Sequence, residues 1–190
     1  MRKLSILCLA IALVFLLGGC TELFIRDEFY QIMVQKPASM QEIWEMEEEY
    51  EFVSELSMHI AEKCDYGSAL YLLSDEERVF YITQTLEMEV NNGGFWQFLY
   101  NVEEDVFLNT VSAFSEIGAE KTAALCQNAF SAFGTDLPGS REARIQFLSK
   151  IGIEECYEIL SEYDALFYAY EEDLTHLNYI YVQNHADAFS

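Results

Sequence analysis

The chain has 190 residues, of which 52% are hydrophobic and 15% aromatic, which is enough apolar surface to offset the entropy of ordering and excludes a disordered protein. The formal net charge of -23, from 33 acidic and 10 basic residues, excludes direct binding of nucleic acid or anionic lipid headgroups and favours a basic protein surface as partner. Because the chain has only two prolines, the predicted fold is all-α, a compact single-domain helical bundle.

A short export signal opens the chain. Arg2 and Lys3 precede an unbroken apolar run over 4–17, which is shorter than the roughly 20 residues of a transmembrane helix. The run ends in Leu17-Gly18-Gly19-Cys20, which resembles the bacterial lipobox. We therefore expect a lipoprotein signal peptide over 1–19 and a lipid anchor on Cys20. The protein is then expected in the bacterial cell envelope, facing away from the cytoplasm and held to the membrane by the anchor alone.

Helical signals dominate the rest of the chain. Residues 20–38 are predicted to form a lipid-anchored stalk and 39–190 an acidic helical domain. Ser39 with Glu42, and Ser74 with Glu77, have the spacing of capping boxes at helix starts. Gly118 and Gly134 follow apolar-periodic runs, where a left-handed residue ends a helix. Together these signals predict helices over 40–63, 75–91, 94–101, 105–117, 119–133, 141–150 and 162–183.

Cysteines and the last predicted helix both point to the core. Cys64, Cys126 and Cys156 remain once the signal and the anchor are set aside, so at most one disulfide can form, and core thiols are the favoured interpretation. Apolar residues from Leu160 to Tyr181 recur at spacings of three, four or seven, which predicts one buried stripe.

Two acidic tracts, 37–62 and 151–190, contain no Lys or Arg. Acids three, four or seven residues apart on one helix lie on one face, where their repulsion weakens the helix by a few tenths of a kcal/mol per pair. A phosphate-like ladder for a basic partner and a plainly solvated face both account for such a row. The predicted acidic surface comprises Glu42, Glu45, Glu48, Glu49, Glu51 and Glu55.

The segment 86–101 reads as a joint between two helices. Gly93 and Gly94 stop the first helix, Asn91 or Asn92 can cap the second, and Glu89 would lie near the positive end of that second helix. A structural corner explains this pattern, with Phe95 turned inward. The alternative is a polar pocket for a peptide or small polar ligand. Its candidate residues are Glu89, Asn91, Asn92, Gln97 and Asn101.

The same residues carry a family resemblance. Glu-x-Glu-Val-x-Asn-Gly-Gly-Phe-x-Gln-Phe-x-x-Asn, followed by Ile117-Gly118-Ala119 and Lys121, resembles the DNA-mimic-protein C-terminal domain family, a domain otherwise of unknown function. The resemblance covers about 74–182 and continues through Phe167-Tyr168, 171–174 and 179–182. It implies a compact, acidic, all-helical domain without known catalysis that occupies the DNA-binding surface of a transcriptional regulator.

These observations leave several functions open. The leading hypothesis is a membrane-anchored acidic module that binds a basic protein, in an immunity-like version by masking the active site of a nuclease or another toxin. A DNA mimic directed at a regulator and a structural envelope lipoprotein are the alternatives. An enzyme is not expected, since Glu87 and Glu89 point to different helix faces and His176 and His185 lack metal-ligand spacing. No catalytic residue, cofactor or metal is therefore assigned.

Overall fold

Helices form the regular structure of the part of the chain that the computed structural model describes, residues 38–189. The predicted signal peptide, Cys20 and nearly all of the predicted stalk lie outside these described residues. Within 38–189 there is no strand, and the predicted all-α fold is confirmed. The helices are α1 Met40–Trp44, α2 Glu49–Lys63, α3 Asp75–Asn101, α4 Glu104–Glu116, α5 Glu120–Ser131, α6 Arg141–Ile151, α7 Ile153–Tyr168 and α8 Leu174–Asn184, with 3₁₀ turns at Leu70–Leu72 and Ala186–Ala188. None of these described helices has the length and hydrophobicity to cross a membrane.

Local sequence signals set several helix ends. Both predicted capping boxes form, and the Ser74 hydroxyl accepts the Glu77 N–H at 3.0 Å while the Glu77 carboxylate accepts the Ser74 N–H at 2.9 Å. The buried Glu77 carboxylate also pairs with Lys63 Nζ at 2.7 Å, so the cap of α3 is tied to the end of α2. Gly118 and Gly134 adopt the predicted left-handed conformation, with φ of 82° and 68°.

The predicted helix over 40–63 is wrong, because the chain breaks between α1 and α2. The Trp44 and Phe52 rings lie 5.3 Å apart, whereas eight residues of straight helix would separate them by about 12 Å. Burying both rings therefore requires a turn. As a consequence, Glu42, Glu45 and Glu49 do not share one helix face, and the predicted acidic ladder through them does not exist.

The predicted helix over 162–183 is also wrong. Helix α7 begins earlier, at Ile153, and ends at Tyr168, and α8 begins at Leu174. Between them Tyr170 has a φ of 45°, and the Asp173 carboxylate accepts the His176 N–H at 3.0 Å to cap α8. Leu160, Phe167, Leu174 and Tyr181 are buried, so most of the predicted apolar stripe is core, although two helices carry it and Tyr170 within the stripe is exposed.

The core surrounds α3, which packs against α2, α4, α6, α7 and α8. Large rings fill it: Phe98 stacks on Phe130 with centroids 5.8 Å apart, and Phe95 meets Phe167 edge-on at 6.0 Å. Cys64, Cys126 and Cys156 are buried free thiols, as predicted for core cysteines.

A buried guanidinium holds the end of α3. Arg144 of α6 is fully buried, and its Nε donates to Leu99 O at 2.6 Å and its Nη2 to Val102 O. Its Nη1 donates to Gly139 O at 2.6 Å and to Pro138 O at 3.4 Å. The guanidinium also lies over the Phe107 ring, 4.4 Å from its centroid. Burial lowers the pKa of Arg144 to about 10, so the group is still charged at neutral pH.

Candidate functional site

The joint predicted in the middle of α3 is a real kink. Gly94 has a φ of 72°, which favours glycine, and a Cβ there would lie 2.6 Å from Asp164 Oδ2. Asp164 Oδ1 accepts the Phe95 N–H at 2.7 Å. The expected caps, Asn91 and Asn92, were therefore wrong. A carboxylate from α7 caps the second half of α3, because Gly94 lets it approach the backbone.

The end of α7 braces the joint from the same side. Tyr168 Oη donates to Val90 O at 2.8 Å. Tyr170 Oη donates to Glu87 Oε1 at 3.0 Å and accepts from Asn91 Nδ2 at 2.6 Å. Burial raises the pKa of Glu87, and the Tyr170 hydroxyl partly opposes that rise. These bonds make this side of the motif a structural corner.

Burial also raises the pKa of Asp164 above its ordinary value of 3.8, while the Phe95 N–H opposes the rise. In the pH range directly above 3.8 the folded chain therefore binds more protons than the unfolded chain, and this group lowers stability as the pH rises. Asp164→Asn keeps an oxygen for the Phe95 N–H and removes the charge. We expect urea unfolding to show that the variant gains stability relative to the native chain between about pH 4 and about pH 7.

Asp136→Asn, in the exposed loop before α6, sets the baseline for this pH series. Asp164→Ala tests the hydrogen bond separately and should be less stable by about 1–2 kcal/mol, because the Phe95 N–H loses its acceptor. A constant difference between Asp164→Asn and the native chain across the pH series would contradict the assignment.

A second polar group lies on the other side of the joint. Glu89 Oε2 accepts from Gln97 Nε2 at 2.9 Å and from Asn101 Nδ2 at 2.8 Å, while Glu89 Oε1 has no hydrogen bond to any described residue. Gly93 allows this arrangement, since a Cβ at Gly93 would lie 2.9 Å from Gln97 Cβ. The carboxylate is therefore held in a fixed orientation with one oxygen free.

Glu89 and Asn101 line a cleft of about 430 Å³ between α2 and α3. Tyr81, Thr85 and Glu89, spaced by four residues on α3, form one wall. Residues 57, 58 and 61 of α2 form the opposite wall, and the turn over 66–68 closes one end. Met58, Tyr66 and Met88 are exposed at its edge, at 51%, 72% and 55%. The volume falls in the range of about 300–1,000 Å³ typical of ligand pockets.

Only some of the residues predicted to form the polar pocket come together. Glu89, Gln97 and Asn101 come together and border the cleft, but Asn91 bonds to Tyr170 and Asn92 is exposed without a side-chain hydrogen bond to any described residue. Phe95 is fully buried in the core. Sequence reasoning missed Tyr81 and Thr85, although their four-residue spacing from Glu89 was a detectable signal.

The basic residues of the domain neutralise only a small part of its negative charge. Residues 38–189 contain 30 acidic and 6 basic residues. Four of these cations pair with carboxylates, namely Lys63 with Glu77, Arg78 with Asp75, Lys121 with Glu171 and Arg141 with Glu103. Arg144 is buried on backbone carbonyls. In the described part of the chain this leaves Lys150 as the exposed cation without an ion pair.

The most regular acidic row lies on α7. Glu154, Glu158 and Glu162 follow one another at four-residue intervals, about 6 Å along the helix axis, and all are exposed, as is the neighbouring Glu155. Of the residues predicted as the acidic surface, Glu42, Glu45, Glu48 and Glu51 are exposed, whereas Glu49 and Glu55 are half-buried. Within 38–189 no three His, Cys, Asp or Glu residues gather as a metal-binding group.

The joint and the segments around it lie within the part of the chain that matches a known family. The family model described as DMP19-like protein matches residues 72–185, which is more than half of the chain. The chain belongs to the DMP19-like family. The name of this family refers to DNA mimic protein 19, so the predicted resemblance to a DNA-mimic family is confirmed. Searches of curated proteins and of solved structures found no match.

Segments of the DMP19-like domain that are distant in sequence meet in the fold. Glu172 accepts the Lys121 and Thr122 N–H groups at 3.1 and 2.8 Å, and so caps α5. These contacts lower the pKa of Glu172 despite its partial burial. Together with the contacts of Tyr168 and Tyr170 at the α3 joint, they show that the end of α7 and the residues after it tie α5 and α3 together.

Proposed function

We propose that this domain is a protein-binding module without catalysis, whose acidic surface occupies a basic surface of the kind that binds DNA. The observation that carries the proposal is the large excess of exposed carboxylates that the domain's own cations leave unneutralised. Such a surface attracts a basic partner over distances comparable to the screening length of the solution. Membership of the DMP19-like family supports this choice of partner surface.

The location of the protein decides between two partner classes. Leu17-Gly18-Gly19-Cys20 favours an anchor that holds the domain outside the cytoplasm, where a basic nuclease or toxin is the partner and the module acts like an immunity protein. The DNA-mimic function that the family name suggests favours the alternative, a transcriptional regulator inside the cell. Metabolic labelling with an alkyne fatty acid, compared between the native chain and Cys20→Ser, separates the two: label confined to the native chain supports the anchored version.

Binding should depend on charge and compete with DNA. With the full chain as bait, we expect capture of a basic protein from cell extract, and affinity for the purified partner should fall at least about tenfold between about 50 and about 300 mM salt. Duplex DNA should displace the bait. Changing Glu154, Glu155, Glu158 and Glu162 to Gln should weaken binding and flatten the salt dependence. Binding whose affinity is independent of salt and that duplex DNA does not displace would contradict the proposal.

A further inference from the structure

We propose that the cleft between α2 and α3 receives an arginine side chain of the basic partner, so that Glu89 is the anchoring carboxylate within the acidic surface. The inference rests on the proposed function and adds to it a specific contact point. It differs from a general electrostatic attraction, because one concave site with fixed geometry selects one side chain.

The carboxylate is prepared for a cation. Gln97 and Asn101 both donate to Glu89 Oε2, which fixes the carboxylate plane and leaves Oε1 free of described partners. Amide donors hold the group without cancelling its charge. A guanidinium that binds here meets an acceptor that needs no reordering, and charge-assisted hydrogen bonds of this kind are the stronger class.

The rest of the cleft fits the stem and plane of an arginine. Met58 and Met88 offer apolar contacts to a hydrocarbon stem, and the exposed Tyr66 ring offers a face on which a guanidinium can stack. No cationic side chain lines the cleft, and the other carboxylate in its lining, Glu103, is already paired with Arg141 at 3.6 Å, which leaves Glu89 as the carboxylate for the guanidinium. Lysine fits less well, since its compact ammonium is more strongly hydrated and lacks the planar fork.

The occupant is an arginine within a polypeptide segment, because the proposed partner is a protein surface. The Gln84 side-chain nitrogen has no hydrogen-bond partner among the described residues, but it is shielded from solvent, so an occupant of the cleft does not reach it in this conformation.

The direct test uses a small probe and the full chain. Acetyl-arginine N-methylamide is titrated into isotope-labelled protein and followed by NMR, with the citrulline counterpart as its uncharged isostere. We expect saturable binding with shifts at Gly67, Thr85 and Asn101, and none with citrulline. Absence of saturable binding, or equal binding of citrulline, overturns the proposal.

Matched variants separate a specific site from net charge. Glu89→Gln and Glu142→Gln each remove one negative charge, but Glu142 is exposed on α6 and does not line the cleft. Glu89→Gln should weaken probe binding by about tenfold or more, and Glu142→Gln by less than about twofold. Equal losses in the two variants overturn the proposal.

A second pair of variants avoids the joint in α3 altogether. Met58→Lys places an ammonium in the cleft and should abolish probe binding, whereas Leu72→Lys adds the same charge at an exposed position outside it and should leave binding within about twofold. If probe binding fails while partner capture keeps its dependence on salt and DNA, the cleft assignment falls and the proposed function stands. If the probe binds normally but no DNA-competed partner is captured, the proposed function falls.

Discussion

Arg144→Met is expected to lower the free energy of unfolding by about 3–5 kcal/mol, because it leaves backbone carbonyls of the α3 end and of the loop before α6 without their donor in a buried place. The side chain satisfies Leu99, Val102, Pro138 and Gly139 at once. Methionine preserves most of the packing on Phe107 but none of these bonds. Urea unfolding of the full chain, followed by far-UV circular dichroism, measures the change.

Arg141→Met is the control for this variant. Arg141 lies three residues earlier on the same helix, is half-buried, donates to Tyr100 O at 3.2 Å and pairs with Glu103 at 3.6 Å. Because this ion pair is solvated, its loss should cost about 1 kcal/mol or less. Arg144→Lys should fall between the two variants, since an ammonium cannot reach the four carbonyls that the planar fork spans. Similar stabilities of Arg141→Met and Arg144→Met would show that the buried guanidinium does not hold the fold.

Gly94→Ala should destabilise the protein by about 3 kcal/mol. About 2 kcal/mol comes from placing an L-residue at a φ of 72° and a ψ of -179°, a region essentially confined to glycine. The rest comes from the new Cβ, which would lie 2.6 Å from Asp164 Oδ2 and would push the carboxylate off the Phe95 N–H. The melting temperature and the urea midpoint both report the loss.

Gly118→Ala is the control for a glycine at positive φ that has no close contact. Gly118 has a φ of 82°, but a Cβ there would meet nothing within 4 Å. We expect a cost of about 1 kcal/mol, from the left-handed conformation alone. If Gly94→Ala costs no more than Gly118→Ala, the close approach of Asp164 does not constrain the joint.

Features of the fold that depend on interactions between neighbouring residues could be predicted from the sequence. The capping boxes at Ser39 and Ser74 and the left-handed Gly118 and Gly134 depend on neighbouring residues alone, and each was predictable. The chain breaks at 45–48 and 169–173 contain neither Gly nor Pro. The first follows from packing Trp44 on Phe52, and the second brings Tyr170 to Glu87, so tertiary contacts overrode local helix propensity.

The candidate site shows the same division. The sequence placed Glu89, Gln97 and Asn101 at the joint, because all three lie in the polar segment 86–101 around the two glycines. It could not show that Asp164, 69 positions beyond Phe95, supplies the cap, or that residues of α2 close the cleft. The buried role of Arg144 had no sequence signal, because a lone arginine on an amphipathic helix usually faces solvent.

Contacts across the α3 joint also determine when, during translation, the two halves of α3 can become fixed relative to each other. Helix α3 leaves the ribosome early, but its central cap and braces come from Asp164, Tyr168 and Tyr170, which are translated some 70 to 80 residues later. Until then Gly93 and Gly94 lie between two helical halves with no lock on their relative angle. Nascent chains stalled before residue 164 should therefore be open to protease at this point, and the completed chain, in which α8 also packs on α3, should resist cleavage.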